Sequence, residues 1–154
     1  MRKAMLLIVV AIATLTVLGG LSGCGTTGIL TPLPRDINII APDPSLGKIA
    51  ECSGAWSGNW DNPYFQATTV VLEKIDRAEV IAVYAFGPYN GYSGGSLRVV
   101  GKIKNDSVVL EWGDVNAKRT VTLTPVGDKL HAEYRRGGRI NRAVLTKVPT
   151  PAPK

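Results

Sequence analysis

Reactive side chains are scarce in this chain. Two cysteines and one histidine in 154 residues exclude a disulfide scaffold, a zinc ribbon and a His-rich metal site. Aromatic residues make up 6% and charged residues 19%, against 45% apolar, which fits neither a disordered polyelectrolyte nor a multi-span membrane protein. Helical periodicity is missing after residue 50. So is a phosphate-cradling glycine loop, because Gly91, Gly94 and Gly95 precede a strand pattern rather than a helix. No pair of acids suggests glycoside hydrolysis: Glu111 and Asp114 read as a wet strand end and its turn. What the chain has in excess is glycine (17) and proline (10), the two residues that punctuate.

The N-terminus reads as an address. Arg2 and Lys3 are followed by an uncharged apolar run from Ala4 to Leu21, then by small residues. Leu21-Ser22-Gly23-Cys24 resembles the lipobox of bacterial lipoproteins. The resemblance implies cleavage between Gly23 and Cys24 and a diacylglyceryl group on the Cys24 sulfur. It also implies a membrane anchored through lipid rather than a spanning helix; with Gly25 next, the outer membrane is expected where a cell has two. The alternative is an uncleaved span, for which the run is at the short edge of about 20 residues.

Four expected regions follow: a lipoprotein signal peptide (1–23), a lipidated Cys24 with a Pro-rich tether (24–50), a β-barrel domain (51–148) and a disordered tail (149–154). Pro32, Pro34, Pro42 and Pro44 oppose helix and central strand in the tether, which is expected to be semi-extended, with Ile37–Ile40 able to add an edge strand. Removing Arg2 and Lys3 takes the basic residues from 18 to 16 against 12 acidic, a net of +4. Arg135, Arg136, Arg139 and Arg142 concentrate the excess. They form either a solvated hairpin tip or a cationic patch for anionic headgroups or acidic glycans. Nucleic acid is not expected as a partner of an exported chain.

Eight β-branched runs separated by turn signals predict an all-β fold, an antiparallel up-and-down meander closing into a small barrel. They cover 56–60, 67–75, 78–86, 96–104, 107–112, 115–124, 129–136 and 139–148. Leu97, Val99, Gly101 and Ile103 alternate with Arg98, Lys102 and Lys104, and Leu130, Ala132 and Tyr134 alternate with His131, Glu133 and Arg135. The second and third runs are apolar on both faces, so the tether or a partner is expected to cover their outer side. The last run leaves its inward face open: Ile140, Val144 and Val148 compete with Ala143 and Leu145.

Gly54-Ala55-Trp56 with Arg142 late in the chain resembles the calycin pattern of lipocalins and avidins. There, a late arginine packs across the tryptophan of the first strand and closes one barrel end. The resemblance implies that role for Arg142. The runs Val71–Asp76 and Val83–Gly87 also resemble a small β domain of uncharacterised bacterial exported proteins.

No nucleophile–base–orienter set is visible, so no enzyme activity and no cofactor or metal are expected. His131 falls among wet-face charges. Cys52 is either buried or bridges two chains. The long Gly87–Gly95 loop carries Tyr89 and Tyr92 and reads as a lid or as a long hairpin connection. Trp56, Trp60 and Tyr84 either line a ligand-binding mouth or pack the core. The expected function is a non-enzymatic, lipid-anchored envelope protein that binds a small ligand or an envelope protein. The alternative is an inhibitor of an envelope enzyme such as a protease.

Overall fold

The computed structural model describes residues 31–150. Its strands are β1 (Gly54–Asn59), β2 (Ala67–Ile75), β3 (Val80–Phe86), β4 (Gly95–Lys104), β5 (Ser107–Trp112), β6 (Arg119–Val126), β7 (Lys129–Arg136) and β8 (Arg139–Val148). Each pairs antiparallel with the next, and β8 returns to β1 through Ala55↔Val148, Trp56↔Lys147 and Ser57↔Thr146. The expected closed meander is therefore the fold. Closure leaves no exposed sheet edge.

Turn chemistry sets the strand bounds. Gly137 and Gly138 take φ of 52° and 78°, and Asn105 and Asp106 take 48° and 56°, so both hairpins use the left-handed turn that matches strand twist. β2, β5, β7 and β8 have the expected bounds. β6 starts at Arg119 rather than Val115. Asp114 Oδ1 accepts from the Asn116 and Ala117 amides, and this local turn takes up the residues between.

The inner face holds alternate residues of every strand, among them Val70, Leu72, Val80, Ala82, Val108, Leu110, Val121, Leu123, Leu130 and Leu145. One end is closed by the short helix α1 (Lys48–Glu51), which buries Ile49, with Cys52 and Trp56 beside it. The Trp56 indole Nε1 donates to the Cys52 carbonyl at 2.7 Å, so the ring's polar atom is satisfied inside the core. The other end carries the longer loops β1–β2, β3–β4 and β5–β6.

The outer face of β1–β3 is also buried, and the expected tether is what covers it. Leu33, Ile37 and Ile39 pack on Ala55, Val71, Val83 and Val148. Ile37–Ile40 adds no strand: one ladder-like bond, Ile40 amide to Glu73 carbonyl at 2.7 Å, is made. A register shift between Leu72 and Lys74 marks a bulge around Glu73. The buried Glu73 carboxylate receives Arg98 through Nε at 2.7 Å and Nη2 at 3.1 Å, and the Asn38 amide at 3.1 Å. Arg98 also reaches Asp36 at 3.1 Å. From Thr31 onward the Pro-rich segment is a strap on the barrel, and the folded unit begins before residue 51.

Candidate functional site

The open end is plugged by aromatic rings. Trp60 and Tyr134 lie 5.8 Å apart between centroids, Tyr134 and Trp112 6.3 Å, Trp112 and Tyr84 5.0 Å, and Tyr84 and Phe86 6.2 Å. Phe86 and Trp112 hold the last inward positions of β3 and β5, Tyr84 and Tyr134 the last but one of β3 and β7, and Trp60 the position just beyond β1. Trp60 and Tyr84 are thus together, as a plug rather than a mouth lining. Trp56 is not with them; it lies at the α1 end. Trp112 and Tyr134 were missed as members. Their parity with Leu110 and Ala132 was the available signal. Burial pushes the Tyr84 hydroxyl up to about 12, partly offset by the Thr68 hydroxyl and the Trp60 indole nearby.

The β3–β4 connection is a small hairpin rather than a draped lid. Tyr89 and Tyr92 exchange backbone bonds of 3.0 and 2.8 Å around Asn90 and Gly91. Tyr92 is 74% exposed, and Tyr89 meets Tyr64 edge-on at 4.5 Å.

Arg142 does not close the barrel. Ile140, Arg142 and Val144 form the outer face of β8, and Arg142 pairs with Glu133 at 3.3 Å. Lys147 takes the expected place. Its Nζ sits 5.3 Å from the Trp56 ring centre and donates to the Glu51 carbonyl at 3.0 Å. Parity decides this: Lys147 shares the inward face with Ala143 and Leu145.

A concavity of about 720 Å³ lies outside the barrel, on the wall of β6, β7 and β8. Thr122 and Thr124 stand opposite Glu133 and His131, which stand opposite Arg142 and Val144. The β1–β2 loop forms its side. Asp61 holds that loop to β8, its amide donating to the Arg142 carbonyl at 2.8 Å and its Oδ1 accepting from the Arg142 amide at 2.6 Å. Phe65 projects at the rim, 68% exposed, with φ of +47°. This strained setting for a bulky residue is fixed by Asn59 Nδ2 donating to its carbonyl at 2.9 Å and its own amide donating to the Asn62 carbonyl at 3.0 Å. Sequence reasoning missed the groove, because its members come from distant runs.

Arg135, Arg136 and Arg139 lie around the β7–β8 turn: Arg135 shares the outer face of β7 with His131 and Glu133, whereas Arg136 and Arg139 have the inward parity of Tyr134 and Ala143, at the rim of the open end. Arg135 pairs with Glu133 at 2.6 Å. Together with Lys118, Thr120 and Ile140, the three arginines line a second concavity of about 220 Å³.

Among groups with nucleophilic or base chemistry, His131 is on the outer wall and Cys52 is inside. Burial pushes the Cys52 thiol up to about 11, so it is protonated at neutral pH. Gly23 and Cys24, the expected cleavage and lipidation residues, lie outside the described residues. The chain matches no family model, no curated protein and no solved structure.

Proposed function

We propose that this is a lipid-anchored envelope protein, exported by residues 1–23 and acylated on Cys24, whose barrel is a filled scaffold. It binds its ligand or partner on the outer wall of β6–β8 and catalyses nothing. The observation that carries this reading is the pairing of an aromatic plug at the open end with an open, mixed polar and apolar groove outside. A ligand has no ready path inward past Trp60, Tyr84, Trp112 and Tyr134. On the wall it meets threonine hydroxyls, His131 and the exposed Phe65. The Trp56–Lys147 closure supports a calycin-like reading in which lysine stands where the family pattern has arginine. For the protease-inhibitor alternative, in which residues 25–50 or the Gly87–Gly95 loop would insert, Glu73 and Arg98 tie down residues 36–40, which favours the Gly87–Gly95 loop with its exposed Tyr92.

Thr122→Trp tests the reading. It fills the groove from a strand position that favours a large aromatic and leaves the core untouched. Native mass spectra of the processed protein in mild detergent are recorded after incubation with envelope extract. A discrete adduct on the wild type, lost in the variant at unchanged melting temperature, is the expected result. An adduct that persists in the variant excludes the groove.

A further inference from the structure

The cationic cluster expected from the sequence comes apart in the fold. Arg135 and Arg142 belong to the outer face and share Glu133. Arg136 and Arg139 have inward parity at the rim of the open end, where they meet Arg119. Trp112, Arg119, Arg136 and Arg139 are successive partners across β5, β6, β7 and β8, and the next row inward is Leu110, Val121, Tyr134 and Asn141. With adjacent strands about 4.8 Å apart, the three arginines span about 10 Å. Like charges placed directly opposite destabilise a sheet. No carboxylate among the described residues lies within ion-pair range of any of the three. The acids at this end are engaged elsewhere: Glu111 with Lys118, Asp61 with the Arg142 amide, Asp114 with the amides of its own turn.

This row stands at the aromatic plug. Phe86, Leu97, Trp112 and Tyr134 pack on the core but are only partly buried, so they leave an apolar floor beside the arginines. Burial dominates at the Tyr84 hydroxyl, yet the Arg119 charge pulls it down, which sets that guanidinium on the plug side. An oxyanion among the three guanidinium groups relieves their repulsion. A carboxylate offers two oxygens, whereas a phosphate offers three and a second charge, the better match to a row of three. We infer that the rim of the open end binds an amphipathic phosphate ester, its phosphate held by Arg119, Arg136 and Arg139 and its apolar body lying on Phe86, Trp112 and Tyr134. A soluble ester and a lipid headgroup present this same chemistry. The site lies above the plug, shares no arginine with the wall groove and stands or falls independently of it.

The test is titration calorimetry on the processed protein in non-ionic detergent at physiological ionic strength. The probes are phenyl phosphate, inorganic phosphate, benzoate and phenol, with phosphatidic acid and phosphatidylcholine in mixed micelles as the lipid arm. Phenyl phosphate is expected to bind at least about threefold more tightly than inorganic phosphate or benzoate, and phenol not to bind. Arg119→Gln with Arg136→Gln is expected to weaken phenyl phosphate about tenfold or more without lowering the melting temperature, since charge-assisted contacts are lost and a repulsion goes with them. Arg139→Gln, at an exposed position beside the turn, is expected to weaken it about threefold. Lys102→Ala with Lys104→Ala, on the outer face of β4, is expected to change it less than about twofold, because distant charges are screened. Absence of phenyl phosphate binding, unchanged binding in the arginine variants, or equal loss in the arginine and lysine pairs would overturn the inference. So would inorganic phosphate, benzoate or phenol binding as tightly as phenyl phosphate. Displacement of phenyl phosphate by phosphatidic acid but not by phosphatidylcholine would assign the headgroup as the source, and no displacement by either would assign a soluble ester. Equal displacement by both would show that the tails rather than the phosphate are read, and would overturn the inference as well.

Discussion

Single side chains decide how each end of this barrel is finished. Tyr84 is neutral inside the plug, with a folded pKa of about 12 against an ordinary value of 10. Its stabilising contribution is complete below pH 10 and is lost as pH rises from 10 through 12, because the unfolded chain releases its proton first. Full ionisation removes about 2–3 kcal/mol. Tyr84→Phe is expected to flatten this alkaline limb in urea titrations run between pH 9 and 12, at a neutral-pH cost of about 1 kcal/mol or less. An unchanged limb would place the alkaline transition elsewhere. The closing cation at the other end was legible in kind but not in position. A late basic residue over Trp56 was expected at Arg142. Apolar residues on both faces of β8 hid its parity, and the pairing of β8 with β1 put Lys147 over the ring instead.

The elements themselves were legible wherever turn chemistry is strict. Two-residue turns with positive φ fix where a strand must stop, which is why β7 and β8 have the bounds read from Gly137-Gly138. The strap is the contrary case. Its prolines correctly excluded a long helix and a central strand, yet its few apolar residues carry no period that names a docking surface. The clue lay in β2 and β3, whose outer faces are too apolar to be wet. Arg98→Ala tests what holds the strap. Glu73 is left buried with one amide partner, and a loss of about 2–4 kcal/mol is expected. Hydrogen exchange should accelerate at Asn38 and Ile40 while the β6–β8 amides stay protected. Protection retained at Asn38 and Ile40 would show that Leu33, Ile37 and Ile39 suffice without the ion pair.

At the scale of the whole molecule, the strap shortens the reach of the proposed anchor. The expected tether of twenty-odd residues reduces to Gly25–Leu30, which can span at most about 25 Å between Cys24 and Thr31. The barrel would then work close to the bilayer. Cys24→Ala is expected to release the protein from the membrane fraction in alkaline carbonate, since acyl chains supply roughly 0.8 kcal/mol for each buried methylene. Tight membrane retention of that variant would return the apolar N-terminus to the role of a span.

The amino-acid sequence alone determined the all-β class, the strand count and four sets of strand bounds. These rest on alternation, turn residues and short motifs, all of which act between near neighbours in the chain. Only the tertiary structure decided that Pro-rich residues clothe the barrel, that Trp60, Tyr84, Trp112 and Tyr134 meet as a plug, and that Lys147 rather than Arg142 closes over Trp56. It alone gathered a groove from β6, β7, β8 and the β1–β2 loop. Those outcomes depend on ring closure, which fixes the parity of every strand at once and brings together residues that local pattern cannot relate.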